Sequence, residues 1–400
     1  MKIGIIREGK TPPDSRVPLT PAQCKKMIDA HGVDLCVQPS PGRCYTDAEY
    51  QALGIPMQED LSDRTILMGV KEVPIDQLIP EKTYFFFSHT IKEQTYNRSL
   101  LQAILAKQIR LIDYEVLTNE QGKRVIAFGK WAGMVGAHNG LFTYGARIGE
   151  FVLPQMKHFH DYKAARAAYA AQQWPPVRIV LTGTGRVGTG AAKVLRDMGI
   201  RQVEPTSFLT DTFEEAVFTQ LRVADYVVRK DGKPFKTRDF YQYPELFASS
   251  FTPYTRVADI MINGIFWDNR APQFFTAEDM GRDDFSIQVI ADVTCDIAPV
   301  SSIPSTLRAS TIDDPVFGYD PKTGQEVPAH TPGCIDMMTI DNLPNELPRD
   351  ASEAFGEQFL THVMPELLRE QSDLLDRATV ARDGELGAHF AYLAGFVGAI

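Results

Sequence analysis

Val177-Arg-Ile-Val-Leu-Thr-Gly-Thr-Gly-Arg-Val-Gly-Thr-Gly190 is the stretch that decides the fold. Val177 to Leu181 is a short apolar run rich in β-branched residues, the pattern of a buried parallel strand. Gly183, Gly185 and Gly188 then fall in the G-x-G-x-x-G spacing. Ala191, Ala192, Val194 and Leu195 follow as the inner face of a helix that runs to about Met198 and stops at Gly199. The first glycine makes the tight turn, the second lets the backbone approach a pyrophosphate, and the third lets helix and strand pack closely. The pyrophosphate rests on the unpaired N–H groups of the helix N-terminus. Strand, glycine turn and helix in this order predict a nicotinamide dinucleotide site with contacts from Gly183, Gly185, Arg186 and Gly188.

Four hundred residues suggest about two or three domains. Hydrophobic content of 44% and charged content of 23% are those of a globular chain able to bury a sizeable core. A net charge of -10 argues against nucleic acid as a partner, because no basic surplus neutralises phosphates. It leaves room for a local basic pocket. No run approaches the ~18 apolar residues of a membrane span, so no membrane segment is expected. Met1 to Glu8 lacks the apolar core of a signal peptide, and the five cysteines are scattered without a C-x-x-C pair. Together these suggest reduced thiols in a cytoplasmic protein. His158-Phe-His160 alternate, yet no acid or cysteine set converges with them in the sequence, and no metal is expected.

Before the glycine loop, strands are expected at Lys2 to Ile6, Val33 to Val37, Arg64 to Val70, Thr83 to Ser88 and Ile109 to Tyr114, alternating with helices. That alternation predicts a mostly parallel sheet. Gly122 to Phe128 suggests a turn and a strand, and Gly133 to about Phe151 a helix leaving the first domain. Beyond the loop, Arg201 to Phe208 should hold a short second strand, and buried strands are expected at Ala258 to Phe266 and Ser286 to Ala291. Residues 211 to 257 and 298 to 333 are poorly patterned. Arg349 to Arg369 is an amphipathic helix expected to return to the first domain, and His389 to Ile400 an apolar docked tail. The class is therefore α/β with two Rossmann-like domains. A parallel-sheet substrate domain is built from both chain ends (1–134 and 336–400), and a doubly wound dinucleotide domain (135–335) is inserted between.

Lys71 and His89 each stand just after a buried strand of the first sheet, which aims two titratable side chains at one edge. Either alone is more often a surface lysine or a capping histidine. Arg16, Lys92 and Arg124 lie in neighbouring loops. If they converge, they form a pocket for carboxylates and depress the pKa of Lys71 by like-charge repulsion, as a base working near neutral pH requires.

At this point the residues carry a family resemblance. Arg16-Val-Pro-Leu-Thr-Pro21 resembles the motif opening the alanine dehydrogenase and transhydrogenase N-terminal domain. Gly69-Val-Lys-Glu72, Phe85-Phe-Phe-Ser-His89, Ile112-Asp-Tyr-Glu115 and Arg124-Val-Ile-Ala-Phe-Gly129 narrow it. Ile262-Asn-Gly-Ile265, Asp292-Val-Thr-Cys-Asp296, Ile340-Asp-Asn-Leu-Pro344 and Leu347-Pro-Arg-Asp-Ala-Ser352 narrow it further. Together they resemble lysine-forming saccharopine dehydrogenase, and equally the lysine–ketoglutarate reductase half of the bifunctional lysine-degrading enzyme. The resemblance implies a reversible reaction in which saccharopine, water and an oxidised nicotinamide give lysine, 2-oxoglutarate and the reduced cofactor. It implies that Lys71 exchanges a proton with the secondary amine and His89 activates the water. It puts substrate contacts on Arg16, Lys92, Gln94, Arg124 and Phe128. At the nicotinamide end it adds Asp292, Val293, Thr294, Ile340, Asp341 and Leu343, with Asp341 contributed by the returning segment.

Glu204 lies 21 residues after Gly183, where an acid gripping the ribose 2′-OH is expected, and so favours NAD. Val203-Glu204-Pro205 also resembles the NADPH-using reductase half, and Arg186 and Arg201 are available to a 2′-phosphate, so NADP stays open. Two rivals remain: a deaminating dehydrogenase of the alanine type, and a non-catalytic nucleotide-binding paralogue. The first needs fewer cations; the second has no use for the Lys71–His89 pair.

Overall fold

Five parallel strands open the chain: β1 (Lys2–Ile5), β2 (Asp34–Val37), β3 (Ile66–Met68), β4 (Thr83–Phe86) and β5 (Arg110–Asp113). The computed structural model that shows them describes residues 1–398. Parallel pairing sends all five carboxyl ends to one edge, where the loops carrying residues 6–20, 69–74, 87–97 and 114–128 begin. The helix Pro21–His31 starts on a capping box: Thr20 caps the Gln23 N–H while the Gln23 side chain returns to the Thr20 N–H.

The next strands form a second sheet. They are β6 (Arg178–Thr182), β7 (Arg201–Gln202), β8 (Val217–Leu221), β9 (Val227–Arg229), β10 (Phe247–Ser249), β11 (Ile260–Asn263), β12 (Val289–Asp292), β13 (Val316–Asp320), β14 (Gln325–Val327) and β15 (Ile335–Met338). Their order is β14-β13-β15-β12-β11-β6-β8-β7, with β9 and β10 paired separately. Every position of β11 and β12 is buried, as expected of a central strand covered on both faces. β16 (Thr379–Arg382) and β17 (Glu385–Leu386) then return to the first sheet, whose order is β17-β16-β5-β4-β3-β1-β2.

The chain accordingly folds as two units, one of Met1–Phe128 with the segment from Pro348 onward, the other of Gly129–Leu347. The expected boundaries shift in two places. The helix Gly129–Ile148 belongs wholly to the second unit, where it packs on the helix after the glycine loop so closely that a Cβ on Gly133 would lie 1.9 Å from the Val187 carbonyl oxygen. Residues 336–347 also belong there, because β15 pairs with β12 and β13. Gly122 to Phe128 forms no strand, only the bridge Thr118↔Arg124. The two poorly patterned regions hold short elements: 211–257 contains β8 to β10, and 298–333 the β13–β14 hairpin.

The returning helix, Pro348–His362, anchors the first unit. Its Ser352 Oγ accepts the Val17 N–H at 2.9 Å, and Arg349 donates to the Cys44 carbonyl at 2.7 Å. The tail docks, as far as it is described: Phe390, Leu393, Phe396 and Val397 join a core with Leu100, Leu101 and Ile104, and Gln102 donates to the Val397 carbonyl at 2.8 Å. Ala399 and Ile400 lie outside the described residues.

Candidate active site

The edge formed by the ends of β1, β3, β4 and β5 carries the titratable cluster. Lys71 follows β3 by three residues and His89 follows β4 by three. His89 adopts a left-handed backbone (φ 54°). Its Nδ1 lies 2.5 Å from Glu72 Oε1, and Glu72 Oε2 accepts Lys10 Nζ at 2.8 Å. Burial raises the pKa of Glu72, but the His89 hydrogen bond and charge, with Lys10, outweigh it and hold the carboxyl at about 2. Glu72 is therefore an anion that fixes the His89 ring and leaves Nε2 as its basic nitrogen.

Lys71 Nζ has no hydrogen bond or ion pair among the described residues. Its pKa is lowered, first by burial and then by the charges of Arg16 and Lys10. Like-charge repulsion was expected to be the cause, but it ranks second, and Lys92 and Arg124 are not its source. Both instead reach Glu115, at 3.4 and 3.1 Å. The Lys71 backbone is pinned from beneath: Glu8 accepts the N–H groups of Val70 (2.6 Å) and Lys71 (2.9 Å). Burial and the nearby Asp14 push the Glu8 carboxyl up to about 8.

Arg16 is 3% exposed and forms a two-pronged pair with Asp14, at 3.0 and 2.6 Å. Its guanidinium also lies 4.2 Å above the Phe128 ring, whose other face stacks on Phe355 at 4.5 Å. Phe128 is thus a platform that positions Arg16, a more specific role than the substrate contact the resemblance implied. Gln94 is exposed, and its side-chain oxygen accepts the Tyr96 hydroxyl. Below the edge, Asp113 at the end of β5 accepts the Ser88 N–H (3.0 Å) and hydroxyl (2.5 Å) and the Glu115 N–H (2.7 Å). It thereby ties the loop of His89 to that of Glu115.

The residues missed from sequence are the anions: Glu8, Asp14, Glu72 and Glu115. A signal was present. Glu72 and Glu115 sit beside Lys71 and the end of β5, inside the motifs already quoted, but the reading for a carboxylate-binding pocket attended only to cations.

In the second unit the glycine loop has the form its spacing predicted. β6 ends at Thr182, Gly185 caps the helix Arg186–Asp197, and Arg186 is exposed at its first turn. Gly183 turns at φ 95°, where a Cβ would meet the Gly264 carbonyl oxygen at 2.5 Å. A Cβ on Gly188 would lie 2.0 Å from the Gly183 carbonyl oxygen. In front of Gly185 nothing lies within 4 Å, so the loop is a cradle that a side chain would fill and a pyrophosphate can enter. These residues fit a dinucleotide.

The other expected cofactor residues divide. Asp292 is fully buried, and its carboxyl accepts Asn263 Nδ2 (2.9 Å), Thr306 Oγ1 (2.6 Å) and the Cys295 N–H (3.2 Å). Asn263 in turn takes the Thr182 hydroxyl at 2.8 Å. Asp292 therefore ties the ends of β6, β11 and β12 together through buried hydrogen bonds. Val293 donates its N–H to the Asn263 carbonyl at 3.0 Å, and Thr294 its hydroxyl to the Ile265 carbonyl at 2.8 Å. The Ile340 and Leu343 side chains are buried in the core, while Asp341 between them is exposed. All three lie in the second unit, not in the returning segment. Glu204 is displaced: it follows β7, the outermost strand of the sheet, and the strand beside β6 is β8.

Residues 4–135 match the family of the alanine dehydrogenase/PNT N-terminal domain. The chain is 32% identical to an alpha-aminoadipic semialdehyde synthase of Arabidopsis thaliana, over 98% of its own length and 41% of that protein's. It thus spans less than half of that relative. It is 28% identical to a lysine-forming, NAD(+)-linked saccharopine dehydrogenase of Emericella nidulans, over 91% of each chain. The structure of an L-alanine dehydrogenase superposes with a TM-score of 0.65 at 18% identity, covering 98% of both chains. That likeness bears out the fold of two Rossmann-like domains, and the sequence relatives bear out the family read from the motifs.

Proposed function

We propose that this chain, whose residues 4–135 form an alanine dehydrogenase/PNT N-terminal domain, catalyses the reversible, nicotinamide-linked oxidative cleavage of saccharopine to lysine and 2-oxoglutarate. The observation that carries this reading is the edge of the first sheet. There an ammonium without an ion-pair partner, Lys71, accompanies a histidine, His89, whose ring is held by a carboxylate. A deamination through an imine needs two proton-transfer groups, one at nitrogen and one at water, and this pair supplies them.

The Gly183–Gly188 cradle would hold a nicotinamide dinucleotide, which would supply the hydride acceptor. Lys71 takes the proton from the secondary amine, and the lowering of its pKa by burial and by the Arg16 and Lys10 charges favours the deprotonated form this step requires. His89, with Nδ1 held by Glu72, uses Nε2 to draw a proton from the water that attacks the imine carbon. Arg16, steadied by Asp14 and Phe128, contributes the fixed positive charge that draws a substrate carboxylate to this edge. Lys92 and Arg124, gathered by Glu115, extend the cationic side. A substrate with three carboxylates suits such a set better than a small amino acid does.

The test is oxidation of NADH, and separately NADPH, in the presence of lysine and 2-oxoglutarate, with ammonia and pyruvate as the comparison. Turnover confined to lysine and 2-oxoglutarate is expected. Turnover with ammonia instead would move the chain to the deaminating dehydrogenases, and none with either pair would remove the catalytic reading.

A further inference from the structure

The glycine loop of the second unit opens onto a cleft of about 210 Å³. Gly183 and Gly185 line it, with Val223, Tyr226 and Tyr241 from the poorly patterned region and Phe266 beyond β11. In an open parallel sheet the ligand lies past the carboxyl ends of the strands. The adenosine ribose meets the residue that ends the strand next to the glycine strand, on the side reached by the first helix. An acid there binds the 2′-hydroxyl, and an arginine accommodates a 2′-phosphate.

Here the chain departs from the usual succession. The strand that follows the first helix, β7, lies at the sheet edge, and β8 is inserted between it and β6. Two strand spacings, about 10 Å, separate β7 from β6. β8 runs in register with β6, Thr182 opposite Leu221, and the Gly183 N–H donates to the Leu221 carbonyl at 3.0 Å. The next residue is Arg222, and the one after it, Val223, already lines the cleft. The Arg222 side chain is 73% exposed. Asp225 orients it, accepting its backbone N–H at 2.7 Å and its guanidinium at 3.3 and 3.4 Å. Glu204 acts on it only through longer-range charge. An exposed Arg–Asp pair is weak and gives way to a stronger anion.

We infer that Arg222, not Glu204, reads the ribose 2′ position, and that the site prefers the 2′-phosphorylated dinucleotide. This rests on the dinucleotide reading of the glycine loop. A guanidinium fork pairs with a phosphate through charge-assisted hydrogen bonds that a hydroxyl cannot match.

Fluorescence titration of the intact protein with NADPH and with NADH tests it. NADPH is expected to bind at least about tenfold more tightly, the value of one or two hydrogen bonds to a charged group. Arg222→Ala should erase most of that ratio by weakening NADPH while leaving NADH within about twofold, and Arg222→Lys should keep part of it. Unchanged circular dichroism secures the fold of both variants. Tighter binding of NADH by the unaltered protein overturns the inference. So does an Arg222→Ala variant that weakens both cofactors equally, or a Glu204→Gln variant that gains NADPH affinity. If neither cofactor binds, the dinucleotide reading itself falls.

Discussion

Asp292 was expected at the cofactor from the family resemblance, and the structure makes it the hub of a buried network; two substitutions separate these roles. Asp292→Ala strips the acceptor from the Cys295 N–H and the Thr306 hydroxyl and removes one of two acceptors, the other being Ser302 Oγ, from Asn263 Nδ2. A buried donor left unpaired costs about 1–3 kcal/mol, so two orphaned donors and one weakened one give about 3–5 kcal/mol. For a unit of this size that is a fall in melting temperature on the order of 10 °C. Asp292→Asn behaves differently. Its amide oxygen can keep the Asn263 and Cys295 bonds while its NH₂ turns to Thr306, whose hydroxyl can accept as well as donate. The expected cost is below about 1.5 kcal/mol, since one bond reverses direction and none is lost. Differential scanning fluorimetry and cofactor titration on both variants make the check. A near-normal melting temperature for Asp292→Asn together with a tenfold loss of cofactor affinity would refute the supporting role and return Asp292 to the ligand.

Three further outcomes follow from the first unit. The lysine-like limb of the pH profile should lie lower in kcat/KM, which reports free enzyme, than in kcat, because arriving carboxylates offset the burial and cationic repulsion that lower Lys71; coincident limbs would refute this. Glu72→Gln removes the anion that holds His89 Nδ1 and Lys10 Nζ, and kcat should fall within the ~10²–10⁴-fold that a positioned acid–base group supplies; steady-state kinetics with both substrates saturating decides it. Ser352→Ala leaves the Val17 N–H unpaired next to Arg16, so stability should drop by about 1–3 kcal/mol, with a rise in KM exceeding the change in kcat; an unchanged KM would disconnect that loop from the substrate.

What the sequence carried best were the strands whose two faces are both covered. β1 to β5, β6, β11 and β12 stand within a few residues of their apolar runs because burial on both faces leaves an unbroken hydrophobic signal. The glycine loop was equally legible, since backbone geometry at Gly183 and Gly188 admits no Cβ. Edge elements were not. β7 is exposed at both of its residues and β14 nearly so, and β16 and β17 form a short antiparallel border; none needs a patterned run. Strand order was hidden for another reason. Counting 21 residues from Gly183 to Glu204 assumes that the second strand in sequence is the second in space, and the insertion of β8 breaks that assumption without leaving a mark on the residues counted. The candidate site was half legible: Lys71, His89 and Arg16 stood out as titratable or charged residues after strands, whereas the stacking of Phe128 on Phe355 and the buried hydrogen bonds of Asp292 depend on residues distant in sequence.

The missed carboxylates change how the first unit's charge should be understood. A pocket of uncompensated cations in a folded chain would be costly, because like charges repel and no anion repays their desolvation. The chain avoids this by pairing Lys10 with Glu72, Arg16 with Asp14, and Lys92 and Arg124 with Glu115. Lys71 alone among these cations is left without an ion pair. Pairing it would raise its pKa and spoil it as a base; leaving it unpaired is tolerable because the surrounding charge is already nearly balanced. Glu8 completes the arrangement. Placed under Lys71 but bonded to backbone N–H groups, it fixes the strand end, and with a pKa near 8 it is largely neutral at pH 7. It therefore steadies Lys71 without supplying the negative charge that would hold the ammonium protonated. By pairing with the other cations, these carboxylates leave Lys71 as the unpaired member of the set, the state that the proposed role as a base requires.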